Sequence, residues 1–120
     1  MPYDYKAKLR RVVDGDTIDV DLDLGFGVVL SKQRIRLYGI NTPESRTRDL
    51  EEKARGLAAK ARLKEMLQGN DIIVQTQIDK KARGKYGRIL GTIIVDGLAK
   101  SANDTLVEEG HAVYYWGGSR

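Results

Sequence analysis

Apolar and polar residues alternate along much of the chain's first third, the pattern of strands with one buried face. Between Tyr5 and Val13 the apolar positions include Ala7, Leu9 and Val13, with Arg11 interrupting the series, and Asp14-Gly15 then reads as a turn. From Thr17 to Leu24 the alternation is strict. Ile18, Val20, Leu22 and Leu24 share one face, while Asp19, Asp21 and Asp23 share the other. The run Leu24-Gly25-Phe26-Gly27 breaks that strand. A third strand, Val28 to Tyr38, sets Ile35 and Leu37 opposite Arg34 and Arg36. Three strands linked by tight turns predict a meander.

Residues 39–48 (GINTPESRTR) are expected as a loop, because Pro43 biases Thr42 away from helix. The spacing predicts a helix from Leu50 to Leu67, with Asp49 as N-cap, Glu52 three residues on, and Gly69-Asn70 as the stop. Leu50, Ala54, Leu57, Ala58 and Ala61 form its expected apolar stripe, with Leu63 and Met66 off that stripe and covered on a second side. Strand four is expected from Asp71 to Ile78, and strand five from Ile89 to Val95 before the turn Asp96-Gly97. A short helix from Ser101 to Glu109 ends at Gly110, followed by an aromatic tail, Tyr114-Tyr115-Trp116. Five short strands with a helix between the third and fourth, plus a short C-terminal helix, are the element order of an OB-fold barrel. The expected class is α+β, mainly β, with residues 1–120 as one domain.

Bulk composition narrows this only a little. No apolar stretch approaches the ~20 residues of a spanning helix, which argues against an integral membrane protein. The opening MPYDYKAKLRR lacks a hydrophobic signal core, so a complete chain would stay in the cell that makes it, whereas a trimmed secreted form would look the same. With no cysteine, disulfides and thiolate metal sites are excluded. The net charge of +4 favours polyanionic partners mildly. Its distribution is more informative: residues 14–23 hold five aspartates and no base, while residues 80–88 hold five bases and no acid. An acidic cluster and a basic one suit a metal-plus-phosphate site better than a plain nucleic-acid-binding surface.

Three segments carry candidate chemistry. In Asp14-Gly15-Asp16-Thr17, a hairpin turn is the plain reading. However, Asp16 shares the parity of Ile18 and Val20 and so points to the inner rim, where a carboxylate is costly unless paired or metal-bound. Asp19, Asp21 and Asp23 face the other way and read as a solvated strand face. The second segment is RLYGINTPE, residues 36–44, where Arg36 precedes a loop carrying an amide, a hydroxyl and a carboxylate. The third is Lys85-Tyr86-Gly87-Arg88. Arg88 begins a strand, and its planar fork matches phosphate better than a lysine does.

VDGDTI, the NTPE loop five residues after Arg36, and KYGR, in that order, resemble the staphylococcal nuclease family from about Lys6 to Gly110. That resemblance implies an OB-fold barrel and calcium-dependent cleavage of DNA and RNA leaving 3′-phosphate ends. It assigns calcium to Asp16, Asn41 and the Thr42 carbonyl, with Asp14 behind them. It gives Glu44 the role of positioning or deprotonating the attacking water. Arg36 and Arg88 would bind the phosphate, and Lys85 and Tyr86 a terminal phosphate of the substrate. Asn41 departs from the family, whose archetype has aspartate there, so one negative charge is missing from the metal site. The archetype also continues into a further helix, where this chain has its aromatic tail; Trp116 is expected to pack. Tyr114 and Tyr115 either pack or stack on substrate bases. His111 reads as structural. The rival function is a non-catalytic OB-fold module binding nucleic acid or protein, which would be expected to have lost Glu44 and the arginines. A monomer is the default.

Overall fold

The structure is a computed structural model that describes residues 4–77 and 89–115. Strands β1 (Asp4–Asp14), β2 (Thr17–Gly25) and β3 (Val28–Leu37) form the expected antiparallel meander. After the short β4 (Ile40–Asn41) comes helix α1 (Leu50–Leu67) and then β5 (Ile72–Gln77) and β6 (Ile89–Val95). The barrel closes in the order β1-β2-β3-β6-β5, with β1 antiparallel to β5 and β3 parallel to β6. Helix α2 (Ala102–Glu108) and the short β7 (Val113–Tyr114) complete the described chain. This is the OB-fold α+β architecture expected from the strand pattern.

Period-two alternation fills the barrel. Ile18, Val20, Leu22, Ile35, Leu37, Val74, Ile93 and Val95 are buried inside it, each contributing about 1.5–3 kcal/mol by leaving water. Leu24 differs. It is 41% exposed, because the β2–β3 hairpin runs past the barrel into a tip carrying exposed Phe26.

Helix α1 has the expected limits, with the Asp49 carboxylate accepting from the backbone N–H groups of Glu51 and Glu52. Its buried face is not the expected one. Gly56, Ala59, Leu63, Met66 and Leu67 are buried, whereas Leu50 and Leu57 are 80% and 46% exposed and Ala54, Ala58 and Ala61 are also outside. The expected stripe weighted alanines like leucines. Three large side chains at 63, 66 and 67 offer far more apolar area and turn the helix their way.

The second departure is the pairing of β4 with β7. Ile40 lies opposite Tyr114 and Asn41 opposite Val113, and the Tyr115 N–H donates to the Gly39 carbonyl at 2.7 Å. The loop expected after β3 therefore begins as a strand held by the chain's tail. Helix α2, capped by the Ser101 hydroxyl, fastens this region through Asn103, which is 3% exposed. The Asn103 amide donates to the carbonyls of Tyr38 and Gly91 and accepts from the Ile93 N–H. Those groups lie where β3 and β6 part company. A buried side chain thus completes the backbone bonding there, beside the Tyr38 N–H that the Gly91 carbonyl also accepts at 2.8 Å. Among the described residues, no helix is long and apolar enough to cross a membrane.

Candidate active site

The turn from β1 into β2 brings Asp14 and Asp16 to one end of the barrel. Glycine is required between them for packing. A Cβ on Gly15 would stand 2.8 Å from the Ala59 Cβ and 2.9 Å from the Thr42 Oγ1, so the turn fits between α1 and the Thr42 loop only without a side chain. Asp16 is 8% exposed, as its inward parity predicts. Its carboxylate accepts from the Thr42 N–H at 3.2 Å and the Thr17 hydroxyl at 3.1 Å, and its carbonyl accepts from the Leu37 N–H at 2.8 Å. One turn thereby ties the end of β3 to the loop that follows it.

Arg36 supplies the opposite charge. Its Nη1 lies 3.3 Å from the Asp16 carboxylate and donates to the Leu37 carbonyl at 3.0 Å, while Nη2 donates to the Asn41 Oδ1 at 3.3 Å. A buried carboxylate demands such a partner, since its desolvation is otherwise uncompensated. The Thr42 hydroxyl, beside Gly15, is buried without a hydrogen-bond partner among the described residues. The oxygens collected here, from Asp16, Asn41 and Thr42, are of the hard type that suits calcium, and with a single formal negative charge among them they form a weakly charged set.

Glu44 stands in the same loop with its side chain exposed, and its carboxylate makes no ion pair or hydrogen bond among the described residues. Its main chain is held. The Glu44 N–H donates to the Glu52 Oε2 at 3.2 Å, and the neighbouring Ser45 hydroxyl, buried, donates to the Asp14 Oδ1 at 2.7 Å. Glu52 had been expected only near the helix cap; instead the Asp49 N–H donates to the Thr47 hydroxyl and Glu52 reaches the Glu44 backbone. Ser45, Gly56 and Asn103 are not singled out by the sequence, and Glu52 only as a residue of the helix cap. A capping acid, a mid-helix glycine and a lone serine or asparagine carry no motif of their own.

The structure thus gathers Asp14, Asp16, Arg36, Asn41 and Thr42 at one end of the barrel, with Glu44 in the loop they anchor. Lys85, Tyr86, Arg88 and Trp116 lie outside the described residues. The aspartate row on β2 is separate and is not a freely solvated face. Asp19 takes two hydrogen bonds from Arg34, at 2.9 and 3.2 Å, with Arg11 at 3.4 Å. The Arg34 guanidinium holds the Asp19 carboxyl below its usual range, opposed by partial burial and reinforced by Arg11. Asp21 pairs with Arg10 at 3.5 Å and accepts from the Lys32 N–H, where the backbone bulges with φ of +55°. No cluster of three metal-binding side chains of the His, Cys, Asp or Glu type occurs among the described residues. Tyr114 is exposed at the surface, where its hydroxyl donates to Asp104, and the His111 N–H bonds the Leu106 carbonyl as the chain leaves α2.

Comparison with known proteins agrees with this geometry. Residues 34–119 match the model of the staphylococcal nuclease homologue family. The chain is 35% identical over 105 residues to endonuclease YncB of Bacillus subtilis, covering 87% of this chain and 45% of that protein. It is 37% identical over 105 residues to the SPbeta prophage-derived endonuclease YokF of the same organism, covering 87% and 32%. Over 85 residues it is 33% identical to the thermonuclease of Staphylococcus intermedius, covering 71% and 46%. The chain spans less than half the length of each of these relatives. With the barrel, the NTPE loop and the match over most of its length, this chain belongs to the staphylococcal nuclease family.

Proposed function

We propose that the chain is a calcium-dependent nuclease hydrolysing phosphodiester bonds of DNA and RNA to 3′-phosphate products. The observation that carries this reading is the guanidinium of Arg36, held against Asp16 and Asn41 beside the loop that presents an exposed Glu44 with no partner among the described residues. A fixed cation, a set of hard oxygens and a free carboxylate are the parts that water attack on a phosphodiester requires. Named relatives that are endonucleases and a thermonuclease support the same class.

In this reading Asp16, Asn41 and the Thr42 carbonyl hold calcium, with Asp14 steadying the loop behind them through Ser45. Bound calcium would polarise a phosphoryl oxygen of the substrate and add positive charge beside it. Glu44 orients a water molecule and accepts its proton as the oxygen attacks phosphorus. Arg36, joined by Arg88, donates to the phosphoryl oxygens as their charge rises, and each such preorganised donor is worth about 3–4 kcal/mol in the transition state. Lys85 and Tyr86 bind a terminal phosphate. The protein acts as a monomer. A non-catalytic binding module would have no use for a general base and two phosphate-binding arginines together, and all three residues are present in the sequence.

Digestion of single-stranded DNA, duplex DNA and RNA, with calcium and with a chelator, tests the reading. Glu44→Gln, whose exposed side chain supports no packing, should lower the rate about 10²–10⁴-fold while leaving the melting transition unchanged. Undiminished cleavage by that variant, or full cleavage in chelator, would overturn it.

A further inference from the structure

The backbone of α1 and the backbone of Glu44 touch directly. A Cβ built on Gly56 would fall 2.5 Å from both the carbonyl carbon and the carbonyl oxygen of Glu44, and 2.7 Å from the nitrogen of Ser45. The obstacle is a peptide plane, not a movable side chain, so even alanine must displace the helix or the loop. Glycine inside a helix is destabilising relative to alanine. Gly56 has no positive φ to account for it and is fully within α1. The close approach is what requires it.

Four residues earlier, on the same face of α1, Glu52 accepts the N–H of Glu44. The Glu44 backbone is thus held on three sides. Glu52 takes its N–H, Gly56 seats its carbonyl, and Asp14 takes the hydroxyl of the residue that follows. Asp14 belongs to the turn that also presents Asp16. None of this restrains the Glu44 carboxylate by direct contact. All of it restrains the point from which the carboxylate projects.

We infer that Gly56 and Glu52 are positioning residues: the α1 surface they form sets the reach of the Glu44 carboxylate to the water attacking a phosphate held at Arg36. The inference rests on Glu44 being the general base. Displacement of a catalytic group by about 1 Å can cost on the order of 10²-fold in rate. Asp16 is tied to β3 through its carbonyl, Arg36 lies on β3, Asn41 pairs with β7, and the Thr42 N–H is held by the Asp16 carboxylate, so the main anchors of the phosphate and calcium groups lie outside the Gly56 contact.

Steady-state and single-turnover cleavage of a single-stranded oligonucleotide, with calcium titration and melting curves, test this on Gly56→Ala, Glu52→Ala, Glu52→Gln and Glu44→Gln. Gly56→Ala should lower kcat about 10–100-fold with KM and calcium affinity within twofold of the parent. Glu52→Ala, which introduces no clash, should lower kcat several-fold, and Glu52→Gln, which keeps an acceptor oxygen, should recover most of that loss. Combined with Glu44→Gln, Gly56→Ala should lower the residual rate no further, because there is no general base left to misplace. Equal loss in both backgrounds, a matching rise in KM, or parent-like kcat in Gly56→Ala would overturn the inference. If Gly56→Ala does not fold, the Glu52 pair decides: equal rates for Glu52→Ala and Glu52→Gln would overturn it. Full activity of Glu44→Gln alone would instead refute the general-base reading.

Discussion

Arg36 Nη1 lies 3.3 Å from the Asp16 carboxylate, and the two side chains are only 18% and 12% exposed. The cation assigned to phosphate therefore rests on the oxygen assigned to calcium. Nη2 of the same guanidinium occupies the Asn41 Oδ1 as well. In the proposed reading calcium and Arg36 would compete for one set of acceptors, and a phosphate that draws the guanidinium toward itself would free them.

Replacing Arg36 by methionine should separate these effects. Without metal, Asp16 becomes a buried charge lacking its partner, and stability should fall by about 3–5 kcal/mol. Calcium then gains an uncontested carboxylate, so it should raise the melting temperature of Arg36→Met by more than that of the parent. Cleavage should drop about two to three decades with saturating calcium present. Differential scanning fluorimetry with and without calcium checks the first two outcomes. A calcium-induced shift no larger than in the parent would show that Arg36 does not oppose the metal.

Asn41→Asp restores a second carboxylate to the set. Its backbone pairing with Val113 is independent of the side chain, so the loop should hold its course. In the metal-free protein the new carboxylate also faces Arg36 and should stabilise the fold slightly. Calorimetric titration should find calcium bound about tenfold more tightly, or ~1.4 kcal/mol. Equal affinities for the two proteins would mean that residue 41 does not ligate the ion.

The parts of this site legible in the sequence are those whose meaning is local. Parity alone turned Asp16 inward and Ile35 and Leu37 into the barrel, because a strand's period fixes its faces. The ends of α1 were legible through Asp49 and Gly69, since caps act within a few residues. Its buried face was not, because Leu63, Met66 and Leu67 outweigh a run of alanines only once the barrel stands beside them. Pairings between distant segments were likewise hidden. Nothing near Ile40 announces Val113, and nothing in Asp19 distinguishes a solvated carboxylate from one held by Arg34 until the β2–β3 register sets them opposite each other. Asn103 is the extreme case, an unremarked helical residue whose three partners are all backbone.

Those three bonds make Asn103 a sharp test of how the barrel seam is closed. Asn103→Ala strips partners from the Tyr38 carbonyl and the Ile93 N–H at once, while the Gly91 carbonyl keeps the Tyr38 N–H at 2.8 Å. Leaving buried backbone groups unsatisfied costs about 1–3 kcal/mol each where water cannot enter, so a total loss of about 2–4 kcal/mol is expected. Asn103→Asp keeps the acceptor for Ile93 but sets a carboxylate against two carbonyl oxygens, and should be the less stable variant at neutral pH. Urea denaturation of the three proteins checks the order. An alanine variant as stable as the parent would show that the seam closes without this side chain.

The arginines of β3 should separate by function, and pH makes the separation measurable. Arg34 is engaged with Asp19, whose folded-state pKa it lowers below an unfolded value of ~3.9. A carboxyl shifted in that direction stabilises the fold fully above its unfolded pKa, and the contribution is lost as pH falls through the folded value. Asp19→Asn should therefore be about 1 kcal/mol less stable than the parent at neutral pH. The two stability curves should converge in acid once the parent carboxyl is protonated. An offset persisting at the acid end would assign the loss to shape instead of charge. Since Arg34 is committed to this pair on the barrel's outer face, Arg34→Gln should share the stability defect yet cleave at a rate near the parent's. Arg36, two residues away on the same strand, should cost activity by orders of magnitude. A comparable loss of kcat from both would show that the two arginines act on the phosphate together, and that the Asp19 pair is given up when substrate binds.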